Sequence, residues 1–294
     1  MSEIFGIACA KDAFNTHEKA AEEQTKTFET MLLHCEDSGK DATGAFFVNR
    51  IDEKDYAGTL FKIDLPSKKF MKRHEYKELR HKTYGKTLQA AIGHCRKASH
   101  GAPASDRNNN HPVSVRGVVG VHLGSITNHE SLWKDHGGKN SYNQRSVWRS
   151  GDVDSEVVFY LIGKALREDS DMTFEGAIVE TTKKLKGTYA CAAIDLHRPK
   201  YIMLFTNQKE IYYYSSPSLN QVVFSTDFDA IQAALKANNF VIVDAHKDSV
   251  PPHSGLRINT ETLKLRPFVL ASEEVTNTEV KNIIVRQTGG VAGF

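Results

Sequence analysis

The chain has 294 residues, of which 40% are hydrophobic and 25% are charged, and its formal net charge is +2. This composition is ordinary for a soluble globular protein of one large or two smaller domains, and no apolar run reaches the length of a membrane helix. The first residues lack the pattern of a secretory signal peptide, and the small net charge argues neither for nor against a nucleic-acid partner.

The first half of the chain predicts strands interleaved with helices. Residues 4–10 predict a buried strand, and apolar residues recurring every three or four positions predict a helix over residues 17–35. The further elements predicted here are a hairpin of residues 44–50 and 58–65, a partly helical basic segment at 67–90, strands within 90–99 and 114–124, and a short helix at 128–136 capped by Asn128. Residues 137–150 are polar and glycine-rich, which is typical of a loop.

Beyond residue 150 the pattern changes from helices to a run of strands. The elements predicted are helices at 154–167 and 174–185, strands at 188–196, 201–207, 210–216 and 221–227, a helix at 228–236, and strand-like sequence to about residue 268. Strands, then helices, then a run of strands favour an α+β domain with antiparallel sheets over an alternating βαβ fold. Residues 269–294 are polar, and we expect them to form an extended C-terminal tail.

Several separated motifs, taken together, carry a resemblance to a known family. They are IFGI at 4–7, DATG at 41–44, GHCRKASHGAP at 93–103, NHP at 110–112, VHLGSITN at 121–128 and DVDSEV at 152–157. In order and spacing these motifs resemble the signatures of the class II glutamine amidotransferase domain. The resemblance covers about residues 2–268 and implies that residues 1–268 form a four-layer αββα sandwich of the N-terminal-nucleophile hydrolase type.

The resemblance also implies a specific chemistry. Members of the family hydrolyse the side-chain amide of glutamine with an N-terminal cysteine whose own α-amine is the base, and an Asn side chain and a Gly N–H form the oxyanion hole. Position by position, Arg96 matches the arginine that binds the substrate carboxylate, Asp154 matches the aspartate that binds its ammonium group, and Gly124 matches the oxyanion glycine. His100 matches a framework position, and we expect it among the substrate-binding residues.

Three departures from the family pattern fall on the chemistry and not on the scaffold. Ser2 stands where the nucleophilic cysteine should be, Lys97 replaces a tryptophan beside Arg96, and Leu123 replaces the oxyanion asparagine. Ser2 would have a free α-amine only after removal of Met1. Because loss of one oxyanion donor alone lowers the rate by about 10²–10³, Ser2 and Leu123 together predict little glutaminase activity.

Three hypotheses for function follow. In the first, the chain is a degenerate relative that acts as a structural, assembly or binding protein, in the cytoplasm or in the virion of a bacteriophage, with a protein partner or a second copy engaged through residues 269–294. In the second, Ser2 is an active nucleophile assisted by Gly124. In the third, Arg96 and Asp154 bind a glutamine-like ligand as a sensor.

Several other features have both a structural and a functional interpretation. The histidines of the motif loops (His94, His100, His111, His122 and His129) could ligate a metal, but the resemblance assigns several of them to the framework, so no metal and no cofactor are expected. Cys9 and Cys95 could replace the missing nucleophile, but buried structural thiols are commoner. The basic segment 68–86 could contact nucleic acid, although a solvated helix face is the more frequent case.

Overall fold

The computed structural model describes residues 2–10, 17–52, 54–84, 87–97, 107–138, 146, 148–216, 220–240 and 248–270. His100 lies outside the described residues, so its predicted role is not addressed by the structure. Apart from Val269 and Leu270, the predicted tail lies outside them as well.

The first sheet consists of antiparallel strands and has β1 near its centre. Its strands are β1 (Glu3–Cys9), β2 (Ala42–Arg50), β3 (Tyr56–Ile63), β4 (Leu88–Arg96), β9 (Ile211–Ser216), β10 (Gln221–Ser225) and β11 (Asp248–Val250). Across the sheet they follow the order β11-β9-β10-β1-β4-β2-β3. β1 therefore lies between β10 and β4, and every residue of β1 is buried.

The second sheet is also antiparallel and faces the first. Its strands are β5 (Val113–Val115), β6 (Val118–Ile126), β7 (Gly187–Asp195), β8 (Tyr201–Thr206), β12 (Ser254–Asn259) and β13 (Leu265–Val269). Across the sheet they follow the order β13-β12-β8-β7-β6-β5. β6 contacts both β1 and β4 of the first sheet.

Helices cover the outer face of each sheet. The described helices are α1 (His17–Cys35), α2 (Ser67–Phe70), α3 (His74–Thr83) and α7 (Phe228–Ala237) against the first sheet, and α4 (His129–His136), α5 (Ser155–Glu168) and α6 (Phe174–Thr182) against the second. Because side chains alternate along a strand, Phe5 and Ile7 of β1 pack under α1, whereas Ile4 and Ala8 pack toward the second sheet. The predicted αββα sandwich is confirmed. None of the described helices is long and apolar enough to cross a membrane.

Three local predictions were wrong. Residues 114–124 were expected to form one strand, but Arg116 and Gly117 adopt φ of +47° and +79°, and this turn separates β5 from β6. Asn128 precedes α4 without capping it: its side chain donates to the Lys184 carbonyl and accepts from the Lys186 N–H instead. The folded part also extends past residue 268, since β13 runs to Val269 and Leu270 is buried.

Candidate functional site

The start of β1 and the end of β4 bring Ser2 and Arg96 to the same edge of the first sheet. Ser2 precedes β1, and its hydroxyl contacts the main chain of Lys97: Oγ accepts from the Lys97 N–H at 2.9 Å and donates to the Lys97 carbonyl at 3.2 Å. Ser2 is half-buried and Lys97 is exposed. The candidate nucleophile is thus held by the main chain immediately after Arg96.

Arg96 is buried and lies on the face of β4 that is turned toward the second sheet. Only 4% of the residue is exposed, and its Nη1 donates to Asn110 Oδ1 at 2.8 Å. Burial lowers the pKa of Arg96, while the carboxylates of Asp41 and Asp154 act in the opposite direction. The structure therefore places the predicted carboxylate-binding arginine within the electrostatic reach of the predicted ammonium-binding aspartate.

Asp154 and Glu156 of the DVDSEV motif both bind main-chain amides. Asp154 Oδ2 accepts from the Ile126 N–H at 2.6 Å, which ties the start of α5 to the end of β6. The buried carboxylate of Glu156 accepts from the Gly151 N–H at 3.0 Å and from the Ser150 N–H at 3.2 Å. Burial raises the pKa of Glu156, and these two amides partly offset that effect. Asp154 and Glu156 thus each have a structural task in this fold.

A buried serine bridges two histidines behind Arg96. His111 Nε2 and His122 Nδ1 each lie 2.8 Å from Ser155 Oγ, and His122 Nε2 lies 3.3 Å from the Thr188 carbonyl. A carbonyl can only accept, so His122 must carry its proton on Nε2. Ser155 then accepts from His111 Nε2 and donates to His122 Nδ1, which lies closer to its Oγ than the second acceptor, Asp154 Oδ1 at 3.4 Å. The hydrogen bonds from His111 through Ser155 and His122 to Thr188 are then all donated in the same direction.

Burial disfavours the charged form of these histidines. His94 stacks on His111 with ring centroids 4.4 Å apart, and burial, reinforced by the Arg96 cation, lowers the pKa of His94 to about 3. Burial also lowers the pKa of His111 and of His122, with Asp154 acting against the latter shift. Among the described residues no group of three His, Cys, Asp or Glu is placed to hold a metal ion. His94, His111 and His122 therefore serve as buried rings, with the neutral form favoured, between the two sheets.

The end of β6 holds the position to which the resemblance assigns the oxyanion asparagine. Leu123 is half-buried and packs against the apolar core between the sheets. Gly124 follows with φ of +141°, and a Cβ at this position would collide with the Thr188 carbonyl. Only glycine satisfies both conditions, so Gly124 is needed by the backbone whatever its chemical role.

The buried cysteines are poor candidates for a substitute nucleophile. Cys9 and Cys95 are both fully buried, and burial raises the pKa of each thiol, that of Cys95 to about 12. The Cys95 sulfur lies 3.2 Å from Ser67 Oγ, on the helix-covered side of the first sheet. Thiols in this state carry little thiolate near neutral pH, and the thiolate is the reactive form.

Two residues of this region were not predicted as contributors to the site. Lys62 on β3 donates from Nζ to the carbonyls of Asn110 at 2.7 Å and of Pro112 at 3.0 Å, and so fixes the loop before β5. Nothing in an alternating strand distinguishes Lys62 from a solvated lysine. Ser155 lies inside a recognised motif, so its position, although not its role, could have been found. His129, by contrast, turns away and bonds the Ile126 carbonyl through Nδ1 at 2.8 Å.

Comparison with curated sequences gives relatives that are much longer than the matched segment. The chain is 30% identical over 180 residues to a glutamine–fructose-6-phosphate aminotransferase from Geobacillus kaustophilus, a match over 60% of this chain and 28% of that protein. It is 32% identical over 134 residues to the protein of the same name from Aquifex aeolicus, over 45% of this chain and 21% of the relative. The matches therefore span less than a third of these relatives. No family model matches the chain.

Solved structures agree on the fold. A glutamine phosphoribosylpyrophosphate amidotransferase from B. subtilis superposes with a TM-score of 0.60 at 18% identity, covering 92% of this chain and 50% of the other. A glutamine aminotransferase class-II domain protein from Silicibacter pomeroyi superposes with a TM-score of 0.53 at 14% identity, covering 92% and 100%. The sequence and fold comparisons together identify a class II glutamine amidotransferase-like domain with the N-terminal-nucleophile hydrolase sandwich.

Proposed function

We propose that this class II glutamine amidotransferase-like domain does not hydrolyse the amide of glutamine at an appreciable rate, and that it acts as a binding or assembly protein. The observation that carries the proposal is Leu123, which occupies the position before Gly124 at the end of β6 and packs its apolar side chain toward the inter-sheet core. A leucine cannot donate a hydrogen bond to a developing oxyanion. Loss of such a donor lowers the rate by about 10²–10³.

The contacts of Ser2 support the same conclusion. Its hydroxyl hydrogen is directed to the Lys97 carbonyl, and its oxygen already accepts from the Lys97 N–H. To attack an amide, Ser2 would have to leave both contacts and transfer its proton to a base. The base used by this class of nucleophile is the α-amine of the same residue, which is part of a peptide bond while Met1 is present.

Ammonia release from glutamine tests the proposal, with the intact mass of the protein measured first to establish whether Met1 is retained. The variants are Ser2→Ala and the matched control Ser131→Ala, since exposed Ser131 also donates to a main-chain carbonyl, that of Asn128, at 2.9 Å. We expect no release above the buffer rate from the native chain or from either variant. Release by the native chain and by Ser131→Ala that is lost in Ser2→Ala would contradict the proposal.

That contrary outcome would support the second candidate, an amidohydrolase with Ser2 as its N-terminal nucleophile. The observation in its favour is that Ser2 lies next to Arg96 and Lys97, where the family resemblance expects the nucleophile, and that a glycine, Gly124, stands at the position matched to the oxyanion glycine. The candidate requires a mass without Met1. A retained Met1 together with measured activity would exclude Ser2 as the nucleophile.

A binding role could use a glutamine-like ligand held by Arg96 and Asp154. Both groups have internal partners, Asn110 for the guanidinium and the Ile126 N–H for the carboxylate, so a ligand would have to share them. Calorimetry with glutamine and glutamate tests this possibility. The control is Arg73→Gln, which alters an exposed arginine on another part of the surface. Binding that is lost in Arg96→Gln and kept in Arg73→Gln would show that Arg96 holds the ligand.

The assembly role is tested through the segment after the fold. Because Leu270 is buried, a shortened chain should end after Leu270 and not after residue 268. We expect the full chain to form a larger species in light scattering than the chain that ends at Leu270. Identical masses for the two chains would contradict a role of residues 271–294 in self-association. A virion or cytoplasmic setting stays a prediction.

A further inference from the structure

A cavity lies on the second sheet, at the end opposite to the one that carries Leu123. β8 runs from Tyr201, which lines this cavity, to Thr206, which pairs with Ala190 directly opposite Leu123. The cavity encloses about 320 Å³ on the outer face of β12 and β13, beside the start of α6. Its wall includes Arg198, Arg257, Arg266, Glu175, Tyr201 and Phe268.

The wall carries an excess of positive charge. Arg257 and Arg266 lie directly opposite each other on neighbouring strands, an arrangement of like charges that destabilises a sheet unless something neutralises it. Glu175 pairs with Arg257 at 2.7 Å, and Arg198 donates to the Met172 carbonyl at 2.9 Å. Arg266 is exposed and has no ion pair with any described residue. Three guanidinium groups against one carboxylate leave the lining with a net charge of +2.

Much of the rest of the wall is aromatic or otherwise apolar. The Arg257 guanidinium lies 5.0 Å from the centre of the Tyr201 ring, in a cation–π arrangement that fixes both side chains. The Phe268 ring lies over Gly255, where any larger residue would collide with it. The first turn of α6, capped by Thr173, adds the positive end of a helix dipole.

We propose that this cavity binds a small organic phosphate, with the phosphate group against Arg266 and Arg198 and the organic part against Tyr201 and Phe268. A phosphate monoester carries a charge of about −1.5 to −2 at pH 7, which matches the excess charge of the lining. Guanidinium groups bind phosphate oxygens through paired, charge-assisted hydrogen bonds. Glu175 can accept hydrogen bonds from the hydroxyl groups of a sugar. The site is separate from the one that carries the proposed function.

Calorimetry on the full chain in a buffer free of phosphate tests the proposal with three probes: inorganic phosphate, ribose 5-phosphate and adenosine 5′-monophosphate. We expect at least one ester to bind several-fold more tightly than inorganic phosphate. The Arg266→Gln variant should weaken ester binding by about tenfold, the effect of losing one charge-assisted contact. The control Lys236→Gln removes an equal charge from α7, on the far helix layer, and should leave binding unchanged.

The Tyr201→Leu variant separates the apolar wall from the charge. It should reduce the affinity for the ester to that for inorganic phosphate, and it should leave the affinity for inorganic phosphate as it was. If ribose 5-phosphate and the nucleotide bind with equal affinity, the ligand is a sugar phosphate. If the nucleotide binds more tightly, its base contacts the aromatic wall. Equal affinity for inorganic phosphate and both esters would overturn the proposal. So would an absence of heat with every probe, or equal weakening by Arg266→Gln and Lys236→Gln.

Discussion

The candidate site has a frame and a rim, and the two differ in how strongly the fold constrains them. The frame consists of Arg96, Asn110, His111, His122 and Ser155, each no more than 6% exposed and each bonded to another side chain. The rim consists of Ser2, Lys97 and Leu123, which are half-buried or exposed. In the frame, Arg96, Asn110, His111 and His122 match the pattern that the resemblance predicts, and the three departures noted from the sequence lie in the rim.

This difference teaches that retention of a motif need not report retention of its chemistry. A buried polar group that loses its partner destabilises the protein by about 1–3 kcal/mol. The requirements of folding are therefore enough to retain the frame residues, with or without catalysis. A substitution at an exposed position usually changes stability by less than about 0.5 kcal/mol. The rim can therefore change with little effect on stability unless catalysis requires it, and the predictions below test that asymmetry.

The largest effect is expected for Ser155→Ala. The substitution removes the hydroxyl that lies 2.8 Å from both His111 and His122, so two buried ring nitrogens lose their partner. We expect the free energy of unfolding to fall by about 3 kcal/mol, measured by urea denaturation. Ser131→Ala, which removes an exposed hydroxyl, should change it by less than about 0.5 kcal/mol. Equal decreases in the free energy of unfolding for the two variants would show that folding does not constrain the frame more than the surface.

A second effect, smaller than that of Ser155→Ala over any single pH unit, is expected from acid. The pKa of His94 is about 3 in the folded protein and about 6.5 in an unfolded chain, so the unfolded state binds the proton first as the pH falls. Above about pH 6.5, His94 does not make the free energy of unfolding depend on pH. Below that pH, it lowers the free energy of unfolding by about 1.4 kcal/mol per pH unit, until the pKa of the folded state is reached. His94→Gln should remove this part of the slope between about pH 6 and 4.

The control for the acid experiment is His81→Gln, which replaces an exposed histidine on α3. Urea denaturation at several pH values gives the slope for each chain. The prediction fails if His94→Gln and His81→Gln retain the same pH dependence as the native chain, because His94 would then be able to take up its proton while folded.

Much of the frame could be predicted from the sequence, because its residues stand in motifs whose order and spacing resemble a family. The helix over residues 17–35 was predicted to the residue, since its apolar period is undisturbed. The turn at Arg116 and Gly117 was missed because valines continue on both sides of it, in β5 and in β6. The contact of Lys62 with the loop before β5 joins residues that are far apart in sequence, and no local pattern reports it.

The smallest effect is expected at the rim, for Leu123→Asn. The variant replaces a half-buried apolar side chain that packs toward the inter-sheet core by an amide that can turn to solvent, so we expect a loss of about 1 kcal/mol by urea denaturation. Leu60→Asn on the edge strand β3, where the leucine is 38% exposed, is the matched control and should lose less. A loss as large as that of Ser155→Ala would place Leu123 in the frame. If the loss is as small as expected, the fold does not demand leucine at this position, and an asparagine there is excluded neither by packing nor by stability. The absence of the oxyanion amide would then reflect the absence of a catalytic requirement and not a structural one.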